Sequence, residues 1–411
     1  MKHASTRRRV LAGLAGFLSL ALVTSGCGSS GQPQASAQGG SGTIAKEETF
    51  SASDATLNRL YGSTSDVPQP ILAALNRAER PVDPDTLALA MKCYKESACD
   101  TGRGTLTVAL ADGFGENVWR QVTRMEFILQ ALSYPQVKKI IYTNASGSAT
   151  KAVSDLRGLI AQKVDVITGF FDAGEAVLPT LRQATAQGIL VAPYDTPVGG
   201  TPGKDYLTLA VEDLCQLGKN FAGALDKELG GKGNVVLLGG TPGNPLSQAW
   251  QACEKKALPS GIQVVGTADT NWTQQGTLQA MSGFLSRYQE INGISYEYGD
   301  GFLGGIRAYE AAGRPVDTVL TLRNDENDLF CEWKNQANPN FKVYYSSGGG
   351  YYVRLALTAA MMKLQGYDVP ANLVVPQQLH QVDESTCNPS VPGPTPVTTL
   401  VPDKVLQEMF K

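Results

Sequence analysis

The sequence is poor in histidine and lacks several motifs on which common enzymes depend. Only His3 and His380 occur among its 411 residues, so a histidine-based catalytic triad is not expected, and no G-x-S-x-G nucleophile elbow is found. The absence of a CxxC pair argues against zinc. The glycine-rich stretch 239–244 lacks the Lys-Ser/Thr of a phosphate-binding loop. These absences favour a protein that is not an enzyme and that needs no cofactor or metal.

Clustered positive charge and long apolar runs are also missing. The chain has 35 Lys and Arg against 38 Asp and Glu. Lys2 and the arginines 7–9 lie in a segment expected to be removed, which leaves 31 basic against 38 acidic residues. Because nucleic-acid binding needs clustered basic charge, such a chain is not expected to bind nucleic acid. The apolar run 10–23 has 14 residues, too few to span a bilayer.

The amino terminus has the order of an export signal. A basic segment is followed by the apolar run, and the small residues 24–26 precede Cys27, which predicts a signal peptide over 1–26. Small residues directly before a cysteine resemble the lipobox of bacterial lipoproteins. That resemblance implies that Cys27 is acylated, with a conventional cleavage site nearby as the alternative. General secretion and twin-arginine export both remain open.

A tether and an extension precede the main body. Residues 28–42 consist only of Gly, Ser, Gln, Ala and Pro. Such a segment cannot bury enough surface to fold, so 27–44 is predicted to be a flexible tether. Residues 45–103 carry helical patterns separated by Pro81 and Pro84. We expect this helical amino-terminal extension to cover a sheet edge or to brace the body behind it.

Six cysteines remain after Cys27, and an even number in an exported chain suggests disulfides, although six allow fifteen pairings. Cys93 and Cys99 enclose a short local loop, which favours a disulfide between them. Pairs between Cys215 and Cys253 and between Cys331 and Cys387 are also proposed, because each would join neighbouring elements of one lobe.

From residue 104 onward, strands and helices alternate, which predicts parallel sheets covered by helices on both faces. Two blocks fit, about 104–205 and 206–345, and the fold class is α/β with two Rossmann-like lobes. The predicted strands are 105–111, 138–143, 164–168, 189–192, 234–238, 263–268, 293–296, 318–322 and 342–345. The predicted helices include 117–131, 148–162, 176–187, 213–229 and 351–364.

The loops after these strands are rich in aromatic, carboxylate and amide side chains. Ligands bind at the carboxyl ends of the strands in such sheets. Each side chain alone has a simpler explanation, since Asp and Asn cap helices and single aromatics pack in cores. Repetition at one end of both sheets predicts instead a site for a small polar ligand, with rings stacking on a sugar and Arg, Asp or Asn bonding its hydroxyls.

Four segments resemble, in order and spacing, the type I periplasmic sugar-binding proteins, the ribose- and galactose-binding group of ABC importer components. They are LIAQKVDVI (159–167), ATAQGILV (184–191) with Asp195 behind it, LGGKGNVV (229–236) and DGFLGGIRAYEAAG (300–313). The resemblance implies two lobes joined by three crossovers. The first lobe would comprise 104–205 and 347–370, and the second 206–346 and 371–411.

The resemblance and the loop pattern together define a candidate site. The family's arginine after the first strand of the second lobe falls near Gln248 here, so Arg120 is expected to replace it. At the position of the family's asparagine before the last matching helix this chain has Gly299, so Tyr298 or Asp300 is expected to contact the ligand instead. The candidate ligand-binding residues are Phe114, Asn117, Trp119, Arg120, Phe171, Asp172, Glu175, Asp195, Asn244, Trp272, Tyr298, Asp300, Asn324 and Asp325.

The function implied is capture of a small polar ligand, a sugar or polyol, and its delivery to an ABC permease in the membrane. The protein would be a monomer held by its lipid anchor at the outer face of the cell membrane. An exported receptor that feeds a membrane sensor is the alternative. A transcription regulator of the same fold would need a DNA-reading headpiece, whereas this chain begins with an export signal. The carboxylates Asp172 and Glu175 are interpreted as hydroxyl acceptors and not as an acid–base pair.

Overall fold

The computed structural model describes residues 50–115, 117–376 and 378–411. The predicted signal peptide, the predicted acylation site Cys27 and the predicted tether lie outside these residues. Across the described ranges, no helix combines the length and apolar character needed to cross a membrane. The described residues all belong to one compact unit.

The first lobe contains a five-stranded sheet in the order β1-β3-β2-β4-β5. Its strands β2 to β5 are parallel, and β1 lies antiparallel on the outer edge of β3. The central strands are buried on both faces, as expected for apolar strands covered by helices. The elements are β1 (Ala98–Asp100), β2 (Leu106–Asp112), β3 (Val137–Asn144), β4 (Val166–Phe170), β5 (Leu190–Pro193), α4 (Val118–Leu132), α5 (Ala149–Ala161) and α6 (Leu178–Ala186), after the extension helices α1 (Asp54–Leu60), α2 (Gln69–Ala78) and α3 (Pro84–Lys95).

The second lobe repeats this plan with a six-stranded sheet in the order β13-β11-β10-β9-β7-β8, in which only the edge strand β13 is antiparallel. A sheet of the two parallel strands β6 and β12 lies between the lobes. The elements of the second lobe and of the two-stranded sheet are β6 (Leu209–Glu212), β7 (Gly233–Gly239), β8 (Ile262–Asp269), β9 (Gly293–Tyr296), β10 (Val319–Leu322), β11 (Lys342–Tyr345), β12 (Asn372–Val375), β13 (His380–Gln381), α7 (Leu214–Leu229), α8 (Pro245–Ala257), α9 (Gln274–Arg287), α10 (Gly299–Ala311) and α11 (Asn327–Gln336). The last two helices, α12 (Tyr352–Leu364) and α13 (Asp403–Met409), pack on elements of the first lobe and its extension.

Capping residues in the sequence set where several helices begin and end. Asn117 and Asp213 accept hydrogen bonds from the backbone N–H groups of Arg120 and Gln216, which start α4 and α7. Gly230 ends α7 in the left-handed region with φ 64°, a conformation that favours glycine. The loops that follow the strands therefore enter the helices at defined residues.

Up to β13, the chain crosses between the lobes three times. It leaves the first lobe between β5 and β6, returns between β11 and α12, and leaves again between β12 and β13. Helix α12 packs on α4, β4 and β5 of the first lobe. This course agrees with a two-lobed fold of parallel sheets.

The extension and the disulfides brace the lobes from outside. Strand β1 covers one edge of the first sheet, and α2 lies against α4 and α12. Disulfides join Cys93 to Cys99, Cys215 to Cys253 and Cys331 to Cys387, the pairs expected from the sequence. The second of these links α7 to α8, and the third ties α11 to the carboxyl-terminal tail.

The carboxyl-terminal tail contacts both lobes, whereas the family resemblance implied that all of it belongs to the second lobe. The backbone N–H of Thr398 donates to Asp325 of the second lobe at 2.9 Å. Two residues later, the backbone N–H of Leu400 donates to Glu126 on α4 of the first lobe at 2.7 Å. Helix α13 then packs on α3. Residues 398–411 thus run from the second lobe onto the first.

Candidate functional site

A cavity lies between the lobes at the carboxyl ends of their strands. It has about 270 Å³ of empty space, part of it open to solvent. The first lobe contributes residues from β4 and the start of α4, and the second contributes residues that follow β8, β9 and β10. The lining residues are Asn117, Trp119, Arg120, Phe170, Trp272, Glu297, Tyr298, Arg323 and Asn324.

Aromatic rings from both lobes form much of the cavity wall. The ring centroids of Trp119 and Phe170 are 6.0 Å apart, and those of Phe170 and Trp272 are 6.3 Å apart, both with nearly perpendicular planes. Phe114 approaches Trp272 across the cleft at 6.2 Å. Rings arranged in this way offer apolar faces to a ligand that also carries polar groups.

Arg120 lies in this wall with its charge already compensated. Its guanidinium donates to Asp112 at 2.8 Å and to Asp172 at 3.0 Å, and only 2% of the arginine side chain is exposed. The guanidinium carbon also lies 3.5 Å from the centre of the Phe170 ring. Burial raises the pKa of Asp172 to about 6, although Arg120 lowers it. Arg120 is therefore held rigidly by two carboxylates and is not a bare cation.

The backbone at Gly113 permits this arrangement. A β-carbon there would lie 2.3 Å from a carboxylate oxygen of Asp172, so a side chain at this position would displace the carboxylate that pairs with Arg120. Glycine is therefore needed here for the close approach of Asp172.

Arg323 makes an equivalent arrangement from the second lobe. Its guanidinium donates to Asp195, which follows β5 of the first lobe, and to Glu212, which ends β6. Asp195 is fully buried and its backbone lies in the left-handed region with φ 70°. Burial raises the pKa of Asp195 to about 7, and Arg323 lowers it. The ion pairs join the two lobes beside the connecting strands.

A second polar contact crosses the cleft at its other side. Asn244 caps α8, since its side-chain oxygen Oδ1 accepts from the backbone N–H of Leu246 at 2.9 Å. Its amide nitrogen donates to Asp172 of the first lobe at 3.1 Å. One side chain thus serves both as a helix cap and as a contact between lobes.

The wall also contains a buried donor, the indole N–H of Trp119. The indole nitrogen of Trp119 makes no hydrogen bond to any residue within the described ranges, and Trp119 is 3% exposed. A buried N–H group normally has a partner. A ligand oxygen in the cavity would supply one.

The structure brings some of the sequence-predicted site residues together and separates others. Six line the cavity: Asn117, Trp119, Arg120, Trp272, Tyr298 and Asn324. Four lie directly behind the lining residues or across the cleft from them: Phe114, Asp172, Asp195 and Asn244.

The remaining four lie away from the cavity wall. Phe171 is buried within the first lobe against Gly169. Glu175 is exposed on the turn before α6. Asp300 accepts from Gln274 of α9 at 2.8 Å. Asp325 is fully buried and accepts from the tail at Thr398. Phe171 is thus used in packing, Asp300 and Asp325 are used in hydrogen bonds away from the cavity, and Glu175 lies five residues beyond the end of β4.

Phe170, Glu297 and Arg323 line the cavity but were not among the predicted residues. Glu297 and Arg323 are the first residues after β9 and β10, whose last residues, Tyr296 and Leu322, are in register. Aligned strand ends place the next residues side by side at the sheet edge. The residue directly after each strand was therefore the available signal. For Phe170, the period-two alternation of β4 was the signal that separates it from Phe171.

Comparison with known proteins gives matches over much of the chain. A family model described as a periplasmic binding protein domain matches residues 109–366. The xylitol-binding protein of Mycolicibacterium smegmatis is 23% identical over 203 residues, which cover 46% of this chain and 55% of that protein. The curated relatives are matched over 55% to 58% of their own length, so this chain spans little more than half of each.

Solved structures show the same fold at low identity. The binding component of the arabinose ABC transporter of Shewanella sp. ANA-3 superposes with a TM-score of 0.62 at 18% identity, over 68% of this chain and 93% of that one. The fructose-binding periplasmic domain of a hybrid two-component system gives 0.59 at 20% identity, over 68% and 91%. The family match covers the strands, helices and loops that form the cavity.

Proposed function

The chain belongs to the periplasmic binding protein family, and on that premise we propose that it is an extracytoplasmic solute-binding protein that captures a small sugar or polyol between its lobes. The observation that carries the proposal is the cavity, whose aromatic rings and paired charges come from both lobes. Similar proteins that bind xylitol and arabinose support this class of ligand.

Capture would proceed by closure of the lobes. The rings of Trp119, Phe170 and Trp272 would pack on the C–H faces of the ligand, while Asn117 and the indole N–H of Trp119 would bond its oxygens. Each lobe carries part of the site, so a ligand that contacts both stabilises the closed arrangement over the open one. The closed shape would then be recognised at the membrane.

We propose that the protein works at the outer face of the cell membrane, anchored through Cys27, and that it delivers its ligand to an ABC importer. A membrane sensor is the alternative partner. One solved structure of the same fold, the periplasmic domain of a hybrid two-component system, supports this alternative. Co-purification with the membrane partner separates the two: a permease supports transport, and a histidine kinase supports sensing.

A thermal-shift screen tests the binding function. A ligand that binds only the folded chain raises the melting temperature. The panel of compounds would contain pentoses and hexoses, including those that form furanose rings, together with xylitol and glycerol. At least one compound is expected to stabilise the wild-type chain. If none does at millimolar concentration, the proposed ligand class is wrong.

The variant Trp119→Ala locates the site. Loss of a stacking face and of a buried donor is expected to weaken binding by roughly 1–3 kcal/mol in calorimetry. Trp333→Ala is the matched control, because that indole donates within the second lobe to Phe341 at 2.6 Å and does not line the cavity. Equal affinities for the two variants would place the ligand elsewhere. Arg120 is unsuited to this test because its removal leaves two carboxylates unpaired.

A further inference from the structure

The loop that presents Trp272 to the cavity has an unfavourable backbone. Asn271 and Trp272 both lie in the left-handed region, with φ of 53° and 49°. This region is sparsely populated by residues other than glycine, and least by bulky ones. Two such residues in succession persist only where the surrounding structure determines them. The loop therefore needs groups that hold it in place.

Thr270 holds the backbone of this loop. Its hydroxyl donates to the carbonyl oxygen of Gly239 at 2.8 Å and lies 2.7 Å from the hydroxyl of Tyr296. The backbone N–H of Asn271 donates to the carbonyl oxygen of Gly240 at 3.0 Å. These contacts fix the course of the main chain, but none of them fixes the plane of the indole ring.

Glu297 contacts the ring itself. One carboxylate oxygen accepts from the indole nitrogen of Trp272 at 2.6 Å, and the other accepts from the indole nitrogen of Trp250 at 2.6 Å. Glu297 is 1% exposed, and Trp250 is fully buried on α8. Hydrogen bonds to a charged acceptor at such distances are strong. The carboxylate thus connects the ring at the cavity to a ring in the core of the second lobe.

Gly240 provides the surface on which the ring of Trp272 lies. A β-carbon at this position would be 2.0 Å from Cε2 of the indole, so the ring packs directly on the main chain. Towards the first lobe, the ring faces Phe114 and Phe170. The ring is bounded on one side by its own lobe and on the other by the partner lobe.

We propose that Glu297 is a positioning residue that fixes the plane of Trp272 before the ligand arrives. The meaning of this plane as a stacking face rests on the proposed function, whereas the positioning itself does not. A preset ring loses no conformational freedom on binding and admits only ligands whose flat face fits the space left in front of it. Through Trp272, Glu297 then helps to determine which ligand shapes fit the cavity.

Indole resonances in ¹⁵N–¹H NMR spectra of the ligand-free chain test the proposal. The four tryptophans give four indole signals, assigned by single Trp→Phe variants. The Trp250 and Trp272 signals are expected downfield of the Trp119 signal, whose indole N–H has no hydrogen-bond partner among the described residues, and slower to exchange with solvent. In Glu297→Gln, one amide oxygen replaces two carboxylate oxygens, so both signals should move upfield and exchange faster, on the order of 10- to 100-fold where a bond to a charged group is lost.

Two further variants separate positioning from general disturbance. Gly240→Ala leaves Glu297 intact and pushes on the Trp272 ring, so the Trp272 signal should move while that of Trp250 stays. Glu254→Gln is the matched control, since Glu254 is an equally buried carboxylate of the same lobe that accepts from Ser295 at 2.5 Å and contacts no indole nitrogen. It should leave the Trp272 signal in place.

The proposal fails if the Trp272 signal is unchanged in Glu297→Gln, or if it moves as much in Glu254→Gln. Should Glu297→Gln not fold, the wild-type spectrum still tests the proposal, because a Trp272 signal that exchanges with solvent as fast as that of Trp119 would show that Glu297 does not hold the ring. No ligand enters these measurements, so a negative sugar screen and a negative NMR result are distinguishable failures.

Discussion

Replacing Arg323 with methionine is expected to destabilise the folded chain by about 3–5 kcal/mol at pH 8, the usual cost of removing one partner from a buried ion pair. The side chains of Arg323, Asp195 and Glu212 are 4%, 0% and 1% exposed. Methionine keeps much of the length and apolar stem of arginine. The cost therefore comes from leaving two carboxylates buried without a cation, and not from an empty space.

The cost should be smaller at pH 5. The pKa of Asp195 is raised to about 7 by burial even with Arg323 beside it, and loss of the cation raises it further. A carboxyl group whose folded pKa exceeds its unfolded value stabilises the fold below the unfolded pKa, and this contribution is lost as pH rises through the folded pKa. At pH 5 the variant holds a neutral Asp195, so less charge is left unpaired.

Urea unfolding at the two pH values measures both quantities. Arg182→Met is the control, because that arginine pairs with Asp205 at 2.9 Å but is 52% exposed, and such surface pairs contribute less than about 1 kcal/mol. The double variant Asp195→Asn with Arg323→Met should recover part of the lost stability. The reasoning is refuted if Arg323→Met costs no more than Arg182→Met, or costs the same at both pH values.

Two other perturbations test the contacts between the lobes. Asn244→Asp keeps a good helix cap but sets a carboxylate against Asp172, so the cleft should open and small-angle scattering at pH 8 should give a larger radius of gyration than for the wild type; an unchanged radius would show that this contact does not hold the lobes. Asp325→Asn should reduce the fall in melting temperature between pH 5 and pH 8. Burial raises the pKa of Asp325 from 3.8 to about 7, and each unit of pKa difference between the folded and unfolded chain is worth about 1.4 kcal/mol. A pH profile identical to that of the wild type would contradict this.

The central strands could be predicted from the sequence because they are apolar runs buried on both faces. Strands β9 and β11 have the predicted bounds, and β2 is displaced by one residue. Strands β6 and β12 were not predicted. Each has four residues and pairs with the other across some 160 positions of sequence, so their extended form depends on a partner that local pattern does not reveal.

The site was predictable as a place but only partly as a set of side chains. Strand ends located the edge of both sheets at which the cavity lies, and Trp119 and Trp272 line that cavity. The face to which a strand end points depends on where the strand stops, and an error of one residue exchanges Phe170 for Phe171. The partners of Arg323 lie 111 and 128 positions away, and no local pattern contains such pairings.

The paired charges restrict which ligands this cleft can accept. Arg120 and Arg323 each meet two carboxylates, so at pH 8 an anionic ligand would find no free cation on them and would face a surplus of negative charge. To bind through either guanidinium it would have to separate a buried ion pair, at a cost of several kcal/mol. An uncharged polyol needs no such exchange, because it can use the aromatic faces and the indole N–H of Trp119, which has no partner among the described residues. Under the proposed function, a neutral sugar should therefore bind, and the corresponding sugar acid should bind at least tenfold more weakly; equal affinity would mean that the ion pairs open to admit ligand.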